Sequence, residues 1–315
     1  NGDTTKPIEY KYALNIESSD EKLKGDITPA LEFALAKVGT DGLEQITHTI
    51  DNTLQVDNNF ATEYRYRGED STVNNWILFN NEPWRIIGII PTENIDGNIE
   101  NRFKIIRLES IGKMKWNGCV SNGLICTDTG KTLNDWTGAT LNDYLNGDYY
   151  NTLSTEAKNM IGTTKYYLGG YSNSDITNDV MWQYERKNDA NRSGYYSATA
   201  PVMQNDALKK IGLMYASDYG YGTPQTCTKT LNTFIEDNNC KSNWLYCLDR
   251  EWLLSNLSVL EDQDFRNVFS GGGVVGSSNA DYDNVHVRPT LTLSANVQIS
   301  GGEGTPDKPY TLSID

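Results

Sequence analysis

The sequence predicts an α+β chain built on antiparallel sheets, with a few short helices and long loops between them. Three observations predict it. Three runs between Asn74 and Ser110 are rich in branched and aromatic residues and are separated by the turn signals Asn80-Asn81 and Asp96-Gly97. Apolar residues at helical spacing with capping residues beside them occur only in short segments. Tyr outnumbers Phe by 19 to 7, which favours Tyr-studded sheets and loops over an oily interior.

The three runs form an antiparallel meander. Alternation places Trp76 and Leu78 on one face and Ile77 and Phe79 on the other, so one face is buried and the other partly so. Phe103 to Leu108 interleaves Lys104 and Arg107 with apolar residues.

Before the meander, residues 1–26 are polar and charged and read as a linker. A helix follows. Thr28 caps it, Pro29 takes its first position, Leu31, Ala34, Leu35 and Val38 recur at helical spacing, and Gly39 ends it. Ile46 to Asn59 is again polar, and Thr62 to Arg67 alternates like a strand. Residues 1–59 are therefore expected as an N-terminal linker and helical segment, and residues 60–315 as the main domain.

After the meander, Lys115 to Lys131 reads as a loop. Two short helices are expected between Trp136 and Gly162: Leu141 to Leu145, with Thr140 and Asp143 as a loose capping pair and Gly147 as terminator, and Ala157 to Ile161, capped by Ser154. Tyr166 to Gln204 reads as long surface loops around short strands, Ile211 to Tyr215 as a buried strand, and Asp218 to Gly222 as the loop after it. Short segments at Trp252 to Ser255, Val268 to Gly276, His286 to Leu293, Val297 to Ser300 and Tyr310 to Ile314 complete the chain.

Composition excludes several function classes. At 315 residues the chain can bury about three quarters of its unfolded surface, so no metal is needed for a core. A formal charge of -15 without any Lys/Arg-rich run argues against a nucleic-acid partner. No apolar run approaches the roughly 18 residues of a membrane span; Trp84 to Pro91 is broken by Arg85 and Gly88. The first residue is Asn1, as expected where a signal peptide or N-terminal anchor has been removed.

Five cysteines fall into two local groups, Cys119 with Cys126 and Cys227 with Cys240 and Cys247, a pattern suited to loop staples in an exported protein. Closing Cys119 to Cys126 would stabilise by roughly 2.5 kcal/mol, and Cys227 to Cys240 by about 3 kcal/mol. Pairing of Cys227 with Cys247 fits the sequence as well.

Five blocks give the chain a resemblance to the DUF6273 domains of Firmicutes surface and exported proteins: WILFNNEPWRIIGII, WTGATLNDYLNGDYYNTLSTEAKNMI, IGLMYASDYGYG, EWLLS and VHVRPTLTL. They span roughly residues 60 to 300. Through that family the chain resembles, more distantly, the C-type-lectin-like superfold that includes formylglycine-generating enzymes, which implies a lectin-like core. The family's Trp-x-Arg-Ser is Trp252-Leu253-Leu254-Ser255 here, so any role of that arginine is absent. The closing GGEGTPDKPYTL resembles tails of other bacterial surface proteins, and no LPxTG motif follows it.

Catalytic signatures are thin. Ser255, Asp249 and His286 can be drawn as a triad, but nothing around Ser255 resembles a nucleophile elbow. Asp281, Asp283 and Asn284, with His286 nearby, offer alternate oxygens that could meet calcium, yet they lack EF-hand spacing and a solvated turn is expected. Gly271 to Gly273 lack the Gly-Lys-Ser/Thr of a phosphate loop. The 42 acids include no recognisable pair for glycoside hydrolysis, and no setting that would lower a thiol pKa surrounds the cysteines.

Aromatics beside amides remain: Tyr171, Trp182, Tyr195, Tyr196, Tyr219 and Tyr221 are the candidate ligand-binding residues, while Trp116 and Trp136 are expected in the core. The sequence thus predicts a noncatalytic domain, without cofactor or catalytic residue, at the cell surface or outside it. Its expected partner is a protein or glycan. A hydrolase or oxidase on a lectin-like fold, and an architectural spacer, are the alternatives.

Overall fold

Two asparagines turn the central hairpin. Asn80 and Asn81 both adopt positive φ, at 54° and 60°, and join Phe79 directly to its cross-strand partner Glu82. This is the tight two-residue connection that matches strand twist, and asparagine is among the few residues that tolerate it. The computed structural model describes residues 28–116, 136, 139–170, 176–186, 206–246, 250–256, 265–270, 273–279 and 282–315.

In chain order, α1 (Pro29–Lys37) precedes β1 (Leu43–Thr47), β2 (Thr62–Tyr66), β3 (Trp76–Phe79), β4 (Glu82–Glu93) and β5 (Ile99–Arg107). Then come α2 (Thr140–Tyr144), α3 (Tyr150–Thr152), α4 (Thr155–Met160), β6 (Thr164–Tyr167), α5 (Asn178–Arg186), β7 (Asp206–Lys209), β8 (Ile211–Gly212) and α6 (Ala216–Tyr221). The rest is α7 (Asn238–Lys241), β9 (Glu251–Asn256), β10 (Phe265–Ser270), β11 (Gly273–Asn279), β12 (Thr290–Thr292), β13 (Val297–Gly301) and β14 (Thr311–Ile314). The expected class holds: α+β, with a mainly antiparallel sheet and a few short helices.

The principal sheet has seven strands in the order β1-β2-β4-β5-β12-β8, with β3 also paired to β4. Its ladders are antiparallel. The meander alternates as expected: Ile77 and Phe79 are buried, Leu78 is exposed and Trp76 is half-buried. At the second turn Asn94 takes over the work, its Oδ1 accepting from the backbone N–H of Asp96 and Asn98. Gly88 sits at a bulge in β4, where a Cβ would lie 2.1 Å from the Tyr64 carbonyl oxygen, so only glycine lets β2 approach so closely.

The N-terminal helix finds its partner in this sheet. Thr28 accepts from Leu31 N–H as the cap, and Ala30 and Ala34 pack in the main core while Phe33 meets Phe103 and Tyr310 edge-on. Of the expected stripe Leu31 and Ala34 pack on the core, whereas Leu35 and Val38 are exposed, because Ala30 and Phe33 complete the inward face in their place. Part of the expected polar connector is also a strand: β1 pairs β2 along its whole length from Leu43↔Tyr66 to Thr47↔Thr62.

Further elements differ from expectation. Gly147 does not end a helix; α2 runs through a π turn at Leu145–Tyr149 into α3. Ser154 does cap α4 through Ala157 N–H. Within the supposed loops, α5 is a helix that buries Met181 and Trp182, and the supposed loop after Tyr215 is α6, every residue of which is buried. A polar connection tying so many of its groups to the interior behaves as core.

Candidate functional site

The centre of the molecule is charged. Arg65 on β2 lies between two carboxylates: Glu63 accepts from Nε and Nη2 at 2.9 and 3.0 Å, and Asp218 of α6 accepts from Nη1 at 2.5 Å. Asp218 also accepts from Lys104 Nζ on β5 at 2.5 Å and from the backbone N–H of Tyr215 at 2.7 Å. All four side chains are buried.

Burial raises both carboxyl pKa values, but Arg65 with His48 holds Glu63 low, and Lys104 with Arg65 holds Asp218 low. The network extends outward through His48, whose Nε2 lies 3.0 Å from Glu63, whose ring stacks on Trp182 at 3.6 Å, and whose Nδ1 is 3.2 Å from the Tyr221 hydroxyl. Tyr221 donates to Asp179. On the other side Glu185 of α5 accepts from Ser217 and Ser255 hydroxyls. These charges are satisfied by one another and pin α5 and α6 to the sheet.

The accessible site lies elsewhere, in an open cleft of about 830 Å³. Its floor is set by a cross-strand pair. Trp76 on β3 stands directly opposite Arg85 on β4, and the guanidinium lies 4.3 Å from the Trp76 ring centre. The Trp244 ring lies 4.9 Å from the same guanidinium, so two indoles contact the cation. Arg85 Nε donates to Asn75 Oδ1 at 2.6 Å, Nη1 donates to Asp70 at 2.5 Å, and Nη2 is buried without a hydrogen-bond partner among the described residues. Burial lowers the Arg85 pKa, against the pull of Asp70.

The opposite wall comes from distant segments. Arg288 grips Glu251 with Nε and Nη2, both at 2.8 Å, and His286 Nδ1 lies 3.1 Å from Ser110 Oγ. Tyr246 stands at the rim, 37% exposed. Trp244 is fixed by Nε1 donating to the Tyr66 carbonyl, and α7 just before it is tied back by the Cys227–Cys240 disulfide, with Cα atoms 4.9 Å apart. Of the two pairings open for Cys227, the structure has Cys240; Cys247, Cys119 and Cys126 lie outside the described residues.

Of the aromatics expected to meet a ligand, the three that are described do not line this cleft. Trp182 and Tyr219 are 0% exposed and Tyr221 is buried. They serve as core side chains, because α5 and α6 fold inward on the charged network. Tyr171, Tyr195 and Tyr196 lie outside the described residues. Trp116 and Trp136 are core residues, with rings 5.1 Å apart.

The drawn triad does not assemble: Ser255 donates to Glu185, His286 faces Ser110, and Asp249 lies outside the described residues. Asp283 and Asn284 are exposed, Asn284 accepts from Lys113, and Asp281 lies outside the described residues. Among the described residues no group of three or more His, Cys, Asp or Glu could hold a metal, and no helix is long and apolar enough to cross a membrane.

Sequence reading passed over Trp76, Arg85, Trp244 and Tyr246. The register signal for the first two was present, since a two-residue turn at Asn80-Asn81 sets Trp76 across from Arg85. Nothing local connects that pair to Trp244.

Residues 125–295 match the family model described as Domain of unknown function (DUF6273), more than half of the chain, and the chain belongs to that family. No curated protein and no solved structure matches it significantly.

Proposed function

We propose that this member of the DUF6273 family is a noncatalytic domain of an exported or cell-surface bacterial protein that binds a protein or glycan in the Trp76–Arg85–Trp244 cleft. The single observation that carries the reading is the cleft itself. It is concave and large enough for several sugar rings or a peptide segment, and it offers aromatic surface beside fixed polar groups. Its two arginines are held in ion pairs, Arg85 with Asp70 and Arg288 with Glu251, which suits recognition better than proton transfer.

The disulfide supports placement outside the cytoplasm, where such staples persist. The lectin-like core and the Firmicutes origin are part of the same proposal and rest on the resemblance of the sequence blocks. Binding to glycan and surface-protein arrays tests the reading, with Trp76→Ala and Tyr246→Ala as cleft variants. Retained ligand that both variants lose by at least about tenfold is expected, the usual scale for removing an aromatic anchor. Ligand held equally by wild type and both variants would remove the cleft from the account.

A further inference from the structure

We infer, resting on the binding role proposed above, that the cleft receives a sugar bearing a carboxylate, with Arg85 as its receptor and Asp70 in the carboxylate's place while the cleft is unliganded. Arg85 is a half-filled fork. Its side chain is only 3% exposed, Asn75 takes Nε, Asp70 takes Nη1 alone, and buried Nη2 meets no acceptor among the described residues.

Trp76 and Trp244 lie against the guanidinium, 4.3 and 4.9 Å from its carbon to the ring centres, and Asn75 holds Nε. Arg288 in the same cleft shows the completed arrangement, two donors on the two oxygens of Glu251. A planar fork with both ends open matches a carboxylate bidentately. Asp70 reaches Arg85 from a turn on the surface and its side chain is 66% exposed, so it can swing into solvent as a ligand carboxylate takes its place on Nη1, beside the unbonded Nη2.

The surroundings favour a sugar over an acidic peptide. Glu69, Asp70, Glu109 and Glu251 line the cleft with the cations Arg85, Lys241 and Arg288, and Arg288 is already gripped by Glu251, so acceptors outnumber the cations there. One carboxylate carried among many hydroxyl donors fits that distribution, whereas clustered acidic side chains would meet like charge. Half-buried Trp76 and the exposed part of Tyr246 supply ring surface for the apolar face of a pyranose.

The test is isothermal titration of the full chain with trimers of galacturonate, glucuronate and mannuronate, each as free acid and as methyl ester. At least one acid is expected to bind about tenfold or more tighter than its ester, the difference a charge-assisted pair makes. Asp70→Asn, which removes the internal competitor from an exposed position, is expected to tighten the acid about tenfold and leave the ester unchanged. Arg85→Gln is expected to abolish the preference.

Equal affinity for acid and ester, or an Asp70→Asn chain that binds the acid no tighter, overturns the inference. If the esters then bind in a manner lost in Trp76→Ala, the binding role of the cleft stands without it. A glutamate-rich peptide that binds the cleft more tightly than every uronate overturns the inference in favour of a protein partner. No binding of any of these ligands overturns it too, and leaves the wider reading to the arrays.

Discussion

Replacing Asp218 with Asn removes the charge that two buried cations share while keeping the shape of the side chain. Arg65 retains its two bonds to Glu63, and an amide oxygen can still accept from Tyr215 N–H, so the loss falls on Lys104. Its ammonium is buried, 2.5 Å from Asp218, and otherwise faces the Tyr215 ring at 4.4 Å. Breaking a buried pair by removing one partner costs about 3–5 kcal/mol, because the orphaned charge stays out of water.

Urea denaturation at neutral pH, followed by intrinsic fluorescence, reads that loss. Burial already depresses the Lys104 pKa, against the pull of Asp218, and the substitution depresses it further. The folded variant then binds fewer protons than the unfolded chain below the ordinary lysine pKa. Its deficit should therefore shrink as pH rises from neutral toward about 10. Adding Lys104→Met should recover much of the loss, since replacing both members of a buried pair is often neutral. A deficit under about 1 kcal/mol, or a double variant as costly as the two single changes together, would refute the claim that these charges organise the fold.

Three further outcomes follow from the same structure. His48 is buried, which lowers its pKa, but the carboxylates of Asp179 and Glu63 outweigh burial and raise it. Its stabilising contribution is full below the unfolded value near 6.5 and is lost as pH rises through the folded value; a Tm profile against pH that His48→Gln leaves unaltered would contradict this. Cys227→Ser with Cys240→Ser should cost about 3 kcal/mol in the chain-entropy model, read by thermal unfolding with and without reductant. Gly88→Ala should cost about 2 kcal/mol or more, since its Cβ would enter the Tyr64 carbonyl and part β2 from β4; a wild-type Tm would count against that close approach.

Local chemistry made the meander and α1 legible. Alternation at Trp76 to Phe79, the Asn80-Asn81 turn and the Thr28-Pro29 cap each act within a few residues. What escaped reading depends on partners far along the chain. Lys104 looks like a solvent-facing charge until Asp218 arrives from 114 residues away. The α6 segment, ASDYGY, has two residues with poor helix propensity, Asp218 and Gly220, and becomes a helix where Asp218 locks onto Arg65 and Lys104.

The same reason hid the cleft. Its aromatic and charged walls come from the turn at Asp70, the β3–β4 hairpin, the segment at Trp244 and the strand end at Arg288, which only the finished sheet brings together. Tyr and Trp content pointed toward recognition, but it could not separate rings that pack inward, such as Trp182 and Tyr219, from Tyr246 at the rim. Aromatic abundance measures potential contact area and carries no direction.

Recovery of the bound ligand bears most directly on the central claim. A ligand captured on the arrays is to be titrated into the protein, incubated for many hours, eluted and weighed by mass spectrometry. The account predicts saturable binding that Trp76→Ala weakens and a ligand returned with its mass unchanged. A ligand returned cleaved, oxidised or otherwise altered by wild type, and intact from Trp76→Ala, would contradict it.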